Sequence, residues 1–162
     1  AQSVGDAGGS MRITLAAVGR NKAGATKELY ELYAARLRWR ITLKEVEERR
    51  PLPAGALKEQ EGELLLAALP RGAKVIALDE GGKEMTSRDF AALLGRWQDE
   101  GVADLAFMIG GADGLSEDAR QAADVILSLG RMTWPHMLVR GLLAEQLFRA
   151  ESILAGHPYH RD

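Results

Sequence analysis

The residues best equipped for chemistry lie at the end of this chain and in its glycine-bearing loops. All three histidines, His136, His157 and His160, fall from residue 136 onward, and the chain closes on "GHPYHRD" (156–162), which adds Tyr159 and Arg161. An imidazole that titrates near neutrality can move protons, and a guanidinium holds phosphates or carbonyls. "LGRMTWPHMLVR" (129–140) sets Met132 and Trp134 beside Gly130 and ahead of Pro135. Such a loop offers apolar walls and free backbone groups, which suits an adenine ring read at its edges. A loop plugging the core beneath the next helix would use the same side chains. "IGGADG" (109–114) places Gly110, Gly111 and Gly114 where backbone can approach a ligand closely. A plain tight turn has the same composition.

Several chemistries are excluded by spacing. "IGGADG" is not G-x-G-x-x-G, so the dinucleotide fingerprint fails. "LDEGGK" (78–83) is not a phosphate-binding P-loop, because that pattern needs glycine at 77 and Ser or Thr at 84, where the chain has Ala77 and Glu84. Asp79, at a strand's carboxyl end, offers a carboxylate to a ligand, and a solvated loop acid is the default reading. A receiver or phosphohydrolase domain needs acids for a metal at the first strand's end, where this chain has "VGRNK". With no cysteine there is no disulfide and no thiolate metal site, and no metal is expected. Lys plus Arg number 21 and Asp plus Glu 23, which argues against a uniformly basic coat but leaves room for a local basic patch. No apolar run approaches the ~20 residues of a membrane span and no secretory leader is visible, so a cytoplasmic location with no membrane partner is expected.

The elements that must position these residues alternate along the chain. Strands are predicted at 12–18, 42–47, 73–79, 104–111 and 125–129, the second as a half-exposed edge. Helices are predicted at 26–39, 58–69, 87–100 with Ser87 as N-cap, 116–124, and 135–155. The pattern implies an α/β fold, a parallel sheet with helices on both faces, and ligands beyond the strands' carboxyl ends. The last helix has an apolar stripe from Leu138 to Leu154, with Glu145 and Arg149 as an i,i+4 surface pair. Gly141 within it implies a close helix–helix approach, and Gly156 with Pro158 turns the tail off sharply. At ~30 Å, that helix is too long for one chain to bring His136 and His160 together, which points to a dimer with antiparallel terminal helices. Residues 1–10, "AQSVGDAGGS", read as an expression-tag remnant, leaving one domain over 11–162.

Taken together, "LSLGRMTWPHMLVRGLLAEQLFRAESILAGHPYHR", "LDEGGK", "IGGADGL" and "MRITLAAVG" resemble the ribosomal large-subunit pseudouridine methyltransferase H family, of the SPOUT class, across 11–161. The resemblance implies an α/β fold with a C-terminal trefoil knot, a homodimer, and S-adenosyl-L-methionine as methyl donor. Donor contacts then fall on Leu78, Gly110, Leu129, Gly130, Arg131, Met132, Thr133 and Trp134, although serine often stands in the family where this chain has Gly130. The implied substrate is large-subunit rRNA, within ribosomes and not DNA, methylated at ring N3 of a pseudouridine in the helix 69 loop. In that dimer the tail serves the partner's pocket. His160 is then the base or its orienter, Arg161 and Arg140 hold phosphate or uracil carbonyls, Tyr159 stacks on the base, and His136 completes the catalytic set. The competing expectation is a non-catalytic ribosome- or nucleotide-binding module on the same fold.

Overall fold

The computed structural model describes residues 10–162, so all but one residue of the expected tag remnant lie outside the described residues. Five strands, β1 (Arg12–Val18), β2 (Arg40–Val46), β3 (Lys74–Glu84), β4 (Asp104–Ile109) and β5 (Val125–Ser128), form one sheet in the order β2-β1-β4-β3-β5. Every pairing is parallel. Crossing over between parallel strands requires intervening helices, which are α1 (Ala25–Ala34), α2 (Ala54–Ala68), α3 (Ser87–Asp99) and α4 (Glu117–Ala122), with α5 (His136–Ala155) following β5.

Alternation along β1 sends Ile13, Leu15 and Ala17 to one face and Ala16 and Val18 to the other. The first face is covered by α1, α3 and α5 through Tyr30, Phe90, Leu94, Leu143 and Leu147. The second is covered by α2 and α4 through Leu65 and Ala119. β2 is the half-exposed edge that its alternating residues predict.

Several boundaries differ from the sequence expectation: α2 starts at Ala54 rather than 58, β2 at Arg40 rather than 42, and β4 ends at Ile109 rather than 111. Three further differences have a local reason. α1 ends at Ala34 rather than 39, because the Glu151 carboxylate captures the amides of Arg38 and Trp39 and the Trp39 ring turns into the core. α3 is capped by Thr86, whose hydroxyl accepts the Asp89 amide at 3.0 Å, while Ser87 donates to Gln146. β3 continues past residue 79: after a break between Leu78 and Lys83 it pairs with β5 again. At the end of the apolar stripe, Leu154 is exposed rather than buried.

α5 packs against both α1 and α3. Gly141 makes the first contact possible, since a Cβ there would stand 2.6 Å from Leu29 Cδ2 and 2.7 Å from its Cγ. The close approach expected at Gly141 therefore lies inside one chain, between α5 and α1, and does not argue for a dimer. Gly141→Ala gains about 1 kcal/mol of helix propensity but overpacks a filled contact at about 1–3 kcal/mol. Net destabilisation is expected in urea melts, and Leu29→Ala in the same chain should recover most of it in a double-mutant cycle. Additive losses would refute this packing.

Candidate functional site

Where β3, β4 and β5 end or break, three segments converge around an open cleft of about 490 Å³, within the range of small-ligand sites. Residues 78–80 form one wall, 110–114 a second, and the loop from Leu129 to His136 the third. That third loop is no core plug: Met132 is 75% exposed and Trp134 41%. Its base is set by Ser128, whose hydroxyl donates to the Gly130 carbonyl at 2.9 Å and accepts the Gly130 amide at 3.1 Å. Thr133 donates to Glu80 at 3.3 Å, tying the loop to the segment across the cleft. The Gly110–Gly114 turn is equally tight. A Cβ on Gly110 would meet the Gly114 carbonyl at 2.7 Å, so this glycine serves backbone packing before any ligand arrives. Asp79 is not solvated: it pairs with Arg120 of α4 and accepts the Gly81 amide.

Of the expected donor contacts, Leu78, Gly110, Leu129, Gly130, Met132, Thr133 and Trp134 line this one cleft, and His136 joins them. Arg131 is exposed and outside the lining.

Arg140 departs from its expected role. It is wholly buried, donating to Glu45 of β2 and to the carbonyls of Val18 (3.2 Å) and Gly19 (2.8 Å). No phosphate can reach it, so it is a structural clamp. Burial pushes Glu45 up, but the Asn21 amide and the Arg140 guanidinium outweigh that and hold the carboxyl below its usual range. Burial and then the Arg140 charge push the His136 imidazole down, which favours its neutral form in the cleft.

The tail turns back on α5. Gly156 takes φ 76°, and the amides of Gly156 and His157 close onto Ile153 and Ser152, which is a Schellman stop. Tyr159 packs edge-on to Phe148 at 4.7 Å and donates to Glu145 at 2.9 Å. The Glu145–Arg149 pair is therefore the tail's anchor rather than a free surface pair. Arg149 Nη1 lies 3.0 Å from His160 Nδ1. A guanidinium only donates, so Nδ1 accepts and Nε2 carries the proton toward Asp162 at 2.9 Å. His160 thus has no free lone pair in this arrangement. Asp162 also pairs with Arg88, while Arg161 is exposed. The structure therefore brings His136 to the cleft and leaves Tyr159, His160 and Arg161 on the flank of α5.

Ser128 and Glu80 position site residues and were not singled out from sequence. The i,i+4 spacing signalled the Glu145–Arg149 pair, but nothing local signalled its long-range partners. Among the described residues no three His, Asp or Glu side chains gather as a metal set, and no helix is long and apolar enough to cross a membrane.

The family model described as "Predicted SPOUT methyltransferase" matches residues 11–160. The chain is 58% identical over 151 residues to "Ribosomal RNA large subunit methyltransferase H" of Rhodospirillum centenum, covering 93% of this chain and 99% of that protein. It is 60% identical to the protein of the same name from Paramagnetospirillum magneticum, with the same coverage. Among solved structures it superposes on a "Probable Methyltransferase" of Bordetella pertussis with TM-score 0.58 at 18% identity, covering 86% of this chain and 96% of that one. It also superposes on TrmJ of Z. mobilis with TM-score 0.51 at 17% identity, covering 88% of this chain and 70% of that one. At these identities the two structures share the fold.

Removing Glu45 tests the clamp. Glu45→Gln strands a buried guanidinium, which typically costs about 3–5 kcal/mol. Because the folded carboxyl titrates below its ordinary value of 4.5, its contribution is complete above that pH and is lost as pH falls through the folded value. Melts at pH 7 should show the full loss in the variant, and the gap to the parent should narrow below pH 4.5. A pH-independent gap would refute the pairing.

Proposed function

The chain belongs to the SPOUT methyltransferase family, and on that premise we propose that it methylates large-subunit ribosomal RNA, at ring N3 of a pseudouridine in the helix 69 loop. The observation that carries this reading is the cleft: three strand-end segments whose exposed Trp134 and Met132 give apolar faces to a ring, beside backbone turns held open by Ser128 and Gly110. The near-identical length and 58–60% identity of relatives named as large-subunit rRNA methyltransferases support the substrate class.

The cleft residues fit S-adenosylmethionine, with Leu78, Gly110, Leu129, Gly130 and the Met132–Trp134 run as the holding surfaces. When bound it supplies a methyl group on a sulfonium, an electrophile that needs no protein nucleophile. The chain's own work is then positioning the ring nitrogen and removing its proton. A neutral His136 places no like charge beside a cationic donor. His160 can take the proton only after Nδ1 leaves Arg149. Tyr159 stacks on the base, and Arg161 reaches phosphate or a uracil carbonyl.

The same reading includes a homodimer and a threaded C-terminal segment. Arg149, which holds His160, lies about 20 Å along α5 from His136 at 1.5 Å per residue. A second chain with an antiparallel α5 brings its tail to the first chain's cleft, so each site is composite.

Labelled-donor transfer to ribosomes and to naked large-subunit RNA tests the reaction. Donor binding without transfer to either would select the non-catalytic binding module instead. Trp134→Ala should weaken donor binding about tenfold or more by calorimetry, with little change in melting because the ring is half exposed. Cutting after Gly156 should leave donor binding intact and reduce transfer by roughly 10²–10⁴, the usual worth of proton-transfer help. Melting should fall by a few degrees with the lost Tyr159–Phe148 stack. A heterodimer of one truncated chain and one Trp134→Ala chain should keep about half the activity, since both lesions fall on one site. Full transfer by the truncated homodimer would overturn the tail's role.

A further inference from the structure

A second groove, of about 390 Å³, lies beside the tail, between the turn that follows α1 and the last turns of α5. Arg36, Arg38 and His157 line it against a single carboxylate, Glu151. That carboxylate is already engaged by the amides of Arg38 (3.0 Å) and Trp39 (2.6 Å). The neighbouring acids are engaged as well, Glu145 with Arg149 and Tyr159, and Asp162 with Arg88 and His160. Arg36 and Arg38 are exposed and form no ion pair among the described residues, and Arg161 next to the groove's Tyr159 wall is in the same position. Glu151 keeps its charge and attracts Arg38, so two arginines face one carboxylate in the groove, a local positive excess on a chain whose formal net charge is −2.

The turn that carries them is held rigidly. Glu151 pins its backbone, and the Trp39 ring is buried with Nε1 donating to Gln98 at 2.9 Å. The Arg36 guanidinium lies over the rings of Tyr33 (5.4 Å) and Phe148 (5.8 Å). Phe148 in turn stacks with Tyr159, so arginines, aromatic faces and tail form one continuous surface. Pre-set guanidinia lose little freedom on binding phosphate, and a guanidinium plane laid on a ring offers its outer face to an unstacked base. A strongly anionic, single-stranded polymer meets both requirements. A neutral apolar peptide meets neither.

We propose that this groove clamps a single-stranded stretch of RNA, with backbone phosphates on Arg36 and Arg38, next to the nucleotide that the tail handles. The proposal rests on the RNA-substrate reading above and adds a binding surface to it. In the composite dimer the clamp travels with the tail, so the strand is held by one subunit while its target enters the partner's cleft.

The test compares wild type, R36Q/R38Q and R36K/R38K. RNA binding is measured by anisotropy on a labelled large-subunit rRNA hairpin loop across a salt series, with methyl transfer measured in parallel. When two phosphates are no longer neutralised, the slope of log K against log salt should become shallower by about 1.4, at ~0.7 per single-strand phosphate. KM for RNA should rise roughly tenfold, with kcat at saturating RNA, donor affinity and melting temperature near wild type. The lysine pair should keep most of the slope, because charge is retained. An unchanged slope and KM in R36Q/R38Q, with wild type still methylating RNA, overturns the clamp and leaves the enzyme reading standing. A shallower slope with no methyl transfer by wild type supports the clamp and sinks the enzyme reading. Wild type that binds no RNA sinks both. A changed oligomeric state with an unchanged slope assigns the groove to a second copy of the chain and likewise overturns the clamp.

Discussion

A wholly buried guanidinium has to have its donors met by the protein, and Arg140 meets that demand with groups far apart in the chain. Glu45 comes from the edge strand β2, and the carbonyls of Val18 and Gly19 from the end of β1. Satisfying one side chain on α5 therefore fixes the head of that helix against the carboxyl edge of the sheet. The loop from Leu129 to Pro135 has its other end anchored by Ser128 in β5, so both ends of the cleft's third wall are set. Arg140 Nε has no partner, so the burial is not fully offset. A buried pair of this kind contributes little net stability over apolar packing. What it supplies here is geometry, and with it a charge that adds to burial in pushing the His136 imidazole down.

The length of α5 is the second constraint. A straight helix separates what it carries, and this one holds the cleft at its head and the tail near its foot. Within one chain the tail's hydrogen-bonding capacity is turned inward. Tyr159 is satisfied by Glu145, His160 by Arg149 and Asp162, and Asp162 by Arg88. These contacts keep an end of chain ordered on the helix flank. They are also exchangeable, because each is a partly exposed pair of modest strength. In the proposed dimer, a partner's cleft or an RNA phosphate replaces them.

Much of this was legible in the sequence, for reasons that can be traced to particular residues. Five apolar strand segments punctuated by Gly and Pro led to a parallel sheet with helices on both faces. The β2 edge followed from its alternating residues, and the α5 stop from Gly156 and Pro158. The three loops that line the cleft were found because strand ends in such sheets face outward. What failed was whatever depended on a distant partner. Arg140 reads as a substrate contact until Glu45 and two carbonyls are seen around it. Gly141 reads as a close helix–helix approach with no partner named until Leu29 is seen against it. The helical period that carries α1 on to residue 39 is overridden by Glu151, more than a hundred residues away, which captures two amides of the turn. Periodicity reports faces; it does not report which neighbour occupies them.

The chemistry explains why the site is written so lightly in side chains. In the proposed reaction an electrophile that arrives already activated asks the protein for no nucleophile, only for a shaped cleft and a route for one proton. Backbone turns and apolar rings shape a cleft, and these leave a faint signature: glycines that could as well be ordinary turns, and a tryptophan that could as well be core. The exposure of Trp134 and Met132 is what separates the alternatives, because a core plug would have buried them. Binding a polyanion, by contrast, needs charge, and a nearly neutral chain can supply it only as a local patch. Glu145 and Asp162 are paired with Arg149 and Arg88, so in the groove beside the tail Arg36 and Arg38 face the single carboxylate of Glu151.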